Sequence, residues 1–485
     1  MDLQSGPGAK RTSGAGSPGD GSSMFSRSQT NSDFSETSSM SESRHFFDDG
    51  KKADADQSNI PMTSFNFINS IIGSGIIGIP FALKQAGFGL GIIFLILVAI
   101  ITDYSLILLI EAGKLSNTVT YQDMMLFACG RPGFYLLSTL QFLYPFIAMI
   151  SYNVIIGDTI TKIITRLGGS SLEGTVLVNR QFIIFLSTIV ITLPLSLYRN
   201  IAKLSKWAFV SLVLVLFILV CICIKLGTFA KDIPPTPNAW SFASTNVTQA
   251  IGIMAFAYMC HHSTFLIHAS LENPAKERWN FVTHVSVLFC MVVMLVFGLV
   301  GYASFTGYTQ GDLLENYCRE DNLMSAARFI FAVTVMLTYP TECFVTREVI
   351  ENALFPSSQP APLWRHIVVS LVIVLTNAAL SMTTDCLGIV LELNGVLAAC
   401  PLAFIIPPVC VMRLRQEPIF SKSNIVPILI ATFGTLVAVI GFIMAIYNFS
   451  EGSQCSHGKE MEYCLMESLG GPNMTTPPSN FTLRT

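Results

Sequence analysis

The run Phe67-Ile68-Asn69-Ser70-Ile71-Ile72-Gly73-Ser74-Gly75-Ile76-Ile77-Gly78-Ile79-Pro80 places three glycines and a proline inside an otherwise hydrophobic stretch. Each interior glycine weakens a helix by about 1 kcal/mol relative to alanine, and proline removes a backbone hydrogen bond. This spacing predicts a helix broken near its middle, with peptide groups left bare. The N–H groups of Ser74 and Gly75 would stand at the positive end of the following half-helix, where a carboxylate binds well. The carbonyls of Asn69, Ile71 and Ile72, before the break, suit a cation or an ammonium. The competing reading is a glycine-lined seam between packed helices.

A second run, Gly252-Ile253-Met254-Ala255-Phe256-Ala257-Tyr258-Met259-Cys260-His261-His262-Ser263-Thr264, carries paired histidines in an apolar setting. Such a pair needs a cavity or a backbone partner. Zinc is disfavoured, because adjacent helical residues point about 100° apart and no Cys/His quartet accompanies them. A pH-sensing role for His261 or His262 fits an imidazole that titrates near neutrality; a satisfied structural histidine is the alternative. A third run, Thr334-Val335-Met336-Leu337-Thr338-Tyr339-Pro340-Thr341-Glu342, offers hydroxyls and a proline-disrupted backbone as hard oxygen ligands. Threonine in a membrane helix commonly bonds back to its own helix instead. The other polar groups at depth, Asp103, Asn153, Asp158, Asn377, Glu392 and Asn394, read mostly as helix–helix glue.

These runs sit in a chain of 485 residues that is 51% hydrophobic and only 12% charged. Soluble proteins carry about 25% charged residues, and residues 1–59 hold 15 of the 59 charges here. The remainder cannot be a water-soluble globule. A net charge of −3 offers no basic stripe for a nucleic acid. Twelve cysteines, mostly inside apolar stretches, do not form a disulfide framework. No nucleophile, base and orienter fall at an interpretable spacing, which argues against an enzyme.

Eleven apolar stretches follow the tail, at 64–83, 91–112, 134–160, 181–198, 207–225, 248–271, 281–304, 323–345, 366–384, 386–411 and 424–447. Each has about the 20 residues an α-helix needs to cross a bilayer, and backbone in lipid must be helical. The expected fold is an all-α polytopic membrane protein with eleven transmembrane helices. The interrupted spans 1 and 6 occupy matching places in spans 1–5 and 6–10, the best sequence pointer to a transporter's substrate site. No glycine or proline marks the second interruption.

Three regions are expected: a Ser/Gly-rich cytosolic tail at 1–59, the helical domain at 60–447, and a tail outside at 448–485. The first holds 14 serines and reads as disordered, with room for regulatory proteins to bind or phosphorylate it. With the N-terminus cytosolic, twelve Lys and Arg lie in the inner loops and eight in the outer ones, as the positive-inside rule requires. The sequons at Asn473 and Asn480 then fall on the glycosylated side. So do Cys318, Cys455 and Cys464. Cys455–Cys464 is the expected disulfide, and Cys318 bonded to either is its rival.

The run Asn69 to Pro80, followed by Gln85-Ala86-Gly87, resembles the first-helix signature of the amino acid/auxin permease family. Within that family the chain is similar to the sodium-coupled neutral amino acid transporters of solute carrier family 38. The stretches Gln141 to Asn153, Ser196 to Lys203, Thr338 to Pro340 with Glu342 to Glu348, and Asp385 to Gly395 carry the same resemblance. It implies a LeuT-type fold, five plus five inverted helices and one more, and sodium symport of a neutral amino acid by alternating access. The implied sodium ligands are Asn69, the carbonyls of Ile72 and Val335, and Thr338, with Thr334 or Thr341 as alternatives to Thr338. The substrate carboxylate would meet Ser74 and Gly75, its ammonium the carbonyls of Ile71 and of Phe256 or Ala257, and Tyr152 would wall the side-chain pocket. Relatives often have a cysteine between spans 5 and 6; residues 226–247 here have none.

The expected membrane is the plasma membrane, with the C-terminus extracellular. The rival expectations are a proton-coupled or sodium-independent exporter of the lysosomal membrane, and an amino-acid sensor whose tail docks signalling partners.

Overall fold

Peptide groups in a low-dielectric surround must bond within their own segment, and helix is the dominant conformation along this chain. The computed structural model describes residues 58–169, 174–198, 201–355, 361–450, 461 and 463–464. The N-terminal tail to residue 57, Asn473, Asn480 and Cys455 lie outside the described residues.

Among the described residues, nine helices are long and apolar enough to cross a membrane, and the pair Ile60–Ile71 and Ser74–Ala86, bent by 50°, makes a tenth span. The remaining expected stretch, 181–198, falls on the shorter helix Arg180–Ser196. Span 3 extends beyond its expected bounds to Tyr121–Gly168 because two helices join at Gly130, whose φ of 69° a side chain would oppose. Span 10 runs as Leu387–Asn394, two π-helical turns at Gly395–Ala399 and Pro401–Ile405, and Ile406–Leu414. At its first π turn Gly395 presses on the Gly252 carbonyl of span 6, a contact that leaves no room for a Cβ.

Polar side chains at depth tie helices together, as buried polar groups in lipid must. His284 meets Asp103 at 2.7 Å, Arg180 pairs with Asp158, and Gln249 donates to Glu392 at 2.7 Å. Asn153 donates to Asn377 at 3.1 Å.

Sequence reading favoured a disulfide within the C-terminal tail, and the structure corrects it. Cys464 is bonded to Cys318, with Cα atoms 5.4 Å apart, because the neighbouring Tyr463 docks on the loop between spans 7 and 8 and donates to the Asn316 carbonyl at 2.5 Å. Cys386, at the start of span 10, is also disulfide-bonded.

Candidate functional site

The first span breaks where its glycines fall. Helix Ile60–Ile71 ends at Ile72 (φ −78°, ψ 97°), Gly73 is extended, and a 3-10 segment Ser74–Gly78 leads into Ile79–Ala86. Pro80 sits in the first turn of that last helix, where its missing N–H does no harm. The carbonyls of Asn69, Ile71 and Ile72 accept no hydrogen bond among the described residues. The amides of Ser74 and Gly75 open the next half-helix, whose first N–H groups have no partner of their own. Ser74 is buried and its Oγ is unpartnered.

The sixth span breaks without glycine. Helix Val247–Ala257 stops at Tyr258 (φ −91°, ψ 2°), and His261–Ser270 resumes after Cys260. Met259 N–H bonds the Phe256 carbonyl at 3.2 Å, while the Ala257 carbonyl accepts nothing among the described residues. The two breaks touch: a Cβ on Gly75 would lie 2.7 Å from Ala257 Cα and 3.2 Å from the Phe256 ring. Across the site Ser70 and Ser263 share a hydrogen bond of 2.6 Å.

Span 3 supplies an aromatic wall. Pro145 interrupts its ladder, and the carbonyls flanking that proline are held from outside the helix, Tyr144 by Asn394 at 3.0 Å and Phe146 by Asn377 at 2.7 Å. Tyr144 and Tyr152, two turns apart, thereby share one face. Tyr152 Oη is the nearest atom to a Cβ on Gly73, at 4.0 Å, so the break opens onto a space that this phenol bounds. The same phenol faces Ser74 and Thr338, although Ser74 Oγ makes no hydrogen bond of normal geometry. Tyr144, which sequence reasoning missed, packs on Phe256 and His262 with ring centroids 5.7 and 5.3 Å away.

Thr338 Oγ1 donates to the carbonyls of Val335 at 3.0 Å and Thr334 at 3.2 Å, as a threonine bonding back to its helix does. Its hydroxyl is nonetheless turned to Tyr152, next to the Val335 carbonyl it donates to. Asn69 is half-buried in the last turn before the first break. The histidines divide: His261 is fully buried with Nε2 3.3 Å from Ser105 Oγ, and His262 packs on Tyr144 with the rings tilted by 35°. Neither forms an ion pair among the described residues.

A lid covers the far side of span 1. The loop from Thr306 to Cys318 rests on the first span at Gly78, where a Cβ would lie 3.8 Å from the Gly311 carbonyl, and its Gly311 packs on the backbone of Gly388 in span 10. Lys84 holds Thr309 O at 3.1 Å, and Lys162 pairs with Glu315 at 2.8 Å. Arg328 donates to Leu314 O at 2.8 Å and also reaches the Tyr317 carbonyl. Asp312 is buried at the centre of this lid; Oδ1 caps Leu314 N–H at 2.8 Å and Oδ2 is unpartnered. Burial and the neighbouring Glu315 carboxylate push its pKa up to about 7.

Three kinds of comparison bear on this architecture. The profile of the family described as "Transmembrane amino acid transporter protein" matches residues 56–447. The chain is 48% identical over 424 residues to a Danio rerio protein named "Putative sodium-coupled neutral amino acid transporter 11", covering 87% of this chain and 93% of that one. It is 29% identical to the "Vacuolar amino acid transporter 2" of Saccharomyces cerevisiae over 83% of this chain and 86% of that one. Among solved structures, MhsT in complex with L-phenylalanine superposes with a TM-score of 0.51 at 12% identity, covering 79% of this chain and 98% of that one. A manganese transporter of Eremococcus coleocola gives 0.52 at 12% identity, covering 84% and 90%. At such identities the likeness speaks to the fold alone, which is LeuT-type.

Proposed function

The chain belongs to the transmembrane amino acid transporter family, and from that premise we propose that it is a sodium-coupled symporter of neutral amino acids working by alternating access. The observation that carries this reading is the meeting of two interrupted helices at Gly75 and Ala257. Bare amides lie on one side of that meeting point and bare carbonyls on the other, complementary to the two ends of a zwitterion.

In this reading the substrate carboxylate sits on the N–H groups of Ser74 and Gly75. Its ammonium sits on the carbonyls of Ile71 and Ala257. Ala257 is preferred to Phe256, whose carbonyl already serves Met259. Tyr152 closes the pocket. Sodium is held by Asn69, Thr338 and the carbonyls of Ile72 and Val335, all oxygens, as a hard cation prefers. Opening of the lid exposes the site on one side of the membrane and separation of the opposite helix ends exposes it on the other. All eleven apolar stretches cross the bilayer, with the N-terminus cytosolic and the lid facing out from the plasma membrane. The sodium-coupled name of the Danio rerio relative supports the coupling ion.

Uptake of a panel of radiolabelled amino acids by the full chain in reconstituted vesicles tests this. Saturable accumulation of neutral amino acids under an inward sodium gradient is expected, and its failure for every amino acid would refute transport. Likeness to the yeast vacuolar protein favours a second reading, a sodium-independent exporter of an acidic compartment. Equal uptake in choline buffer, varying between pH 5 and 8, would select it.

A further inference from the structure

Glu342 lies on the face of helix Asn322–Leu354 that carries Val335 and Thr338, three and four residues apart along one stripe. Its carboxylate lies within electrostatic reach of both aromatic walls of span 3, Tyr144 and Tyr152. Through Tyr152 it is linked to Ser74 and Thr338, and through Tyr144 to Phe256 and His262. It therefore adjoins the space between the two breaks, one helical turn beyond Thr338.

Its Oε2 is fully shielded and has no hydrogen-bond partner, and the carboxylate forms no ion pair among the described residues. The nearest cation along the helix, Arg347, is engaged elsewhere, donating to Ser196 O at 3.2 Å and Ser370 Oγ at 2.9 Å. The titratable groups of span 3 within reach of its charge are phenols, Tyr144 and Tyr152. A carboxylate in an apolar surround without a fixed counter-charge is costly. Residues of this kind mark a path along which charge arrives and leaves.

We propose that Glu342 is a cation-holding residue of this site, whose carboxylate takes a monovalent cation, either sodium or the cationic side chain of an amino acid. This rests on the transport reading for its location and adds to it the ligand chemistry of a group that reading leaves unused. With sodium, Glu342 supplies the negative charge that the neutral oxygens of Asn69, Thr338 and Val335 lack. With an ammonium or guanidinium, it widens the substrate range from neutral to cationic amino acids.

The test is thermal stability of the purified full chain, which reads binding without transport. Sodium chloride is titrated against choline chloride at constant ionic strength in one arm; L-lysine and L-arginine are titrated against L-norleucine in the other. Wild type should be stabilised in at least one arm. Glu342→Gln should raise the half-effective concentration of that cation at least tenfold, and Glu342→Asp should restore part of it. A sodium effect alone identifies the inorganic cation, and a lysine or arginine effect alone the substrate. Identical titrations of wild type and Glu342→Gln, or no stabilisation of wild type by either cation, would overturn the proposal. Neutral amino-acid uptake by wild type is read in parallel: its absence would count against the transport reading while leaving the binding result for Glu342 intact.

Discussion

Gly75 and Ala257 are in backbone contact: a Cβ at residue 75 would stand 2.7 Å from Ala257 Cα. Spans 1 and 6 approach this closely only because a glycine faces the end of the sixth helix's first half. Gly75→Ala must push the breaks apart. Uptake by this variant should fall at least tenfold, equivalent to about 1.4 kcal/mol of lost site complementarity, while its gel-filtration profile stays that of wild type. Wild-type uptake would show that the contact does not shape the site.

Asn69→Ala and Thr338→Ala each remove one oxygen from the proposed sodium shell. Each should raise the half-saturating sodium concentration about tenfold, or ~1.4 kcal/mol, and change maximal amino-acid uptake far less. Thr338→Ser, which keeps the hydroxyl, should restore sodium affinity. Unchanged sodium dependence in both alanine variants would remove these residues from the ion site.

Asp312 should make the stability of the lid depend on pH. Its pKa is raised to about 7 in the closed lid, against about 3.9 in water, so the closed form binds the proton more tightly. The stability this confers is complete below the solvent value and is lost as pH rises through about 7. Melting temperature should therefore decline between pH 4 and pH 8 more steeply in wild type than in Asp312→Asn. The asparagine keeps the Oδ1 cap on Leu314 and cannot ionise. Parallel curves for the two proteins would contradict the assignment.

The Cys318–Cys464 bond ties the lid to the C-terminal segment across 146 residues. Closing a long loop stabilises by about 2–4 kcal/mol. Cys318→Ser and Cys464→Ser should lower the melting temperature equally, and the double variant should lower it no further. Additive losses would mean the two sulfurs act separately.

The first break is legible in sequence because Gly73, Gly75, Gly78 and Pro80 weaken the helix where it stands. The second is nearly silent. Tyr258 and Cys260 are buried and no glycine accompanies them, so only the paired histidines and the matching place in the two halves point there. Tyr144 and Glu342 leave no local mark, since their meeting depends on how spans 3 and 8 pack. The disulfide was open for the same reason: Cys318, Cys455 and Cys464 allow several pairings, the docking of Tyr463 beside Asn316 selects one of them, and nothing local marks Cys386, inside an apolar stretch, as disulfide-bonded too. Sequence reasoning also raised the alternative that Thr338 bonds back to its own helix, and its hydroxyl does so.

The most direct test is a density map of the full chain bound to its amino acid and sodium. The account predicts the amino acid's carboxylate against the amides of Ser74 and Gly75 and its ammonium against the carbonyls of Ile71 and Ala257, with spans 1 and 6 still broken. An amino acid bound elsewhere, or both spans continuous in the loaded protein, would contradict it.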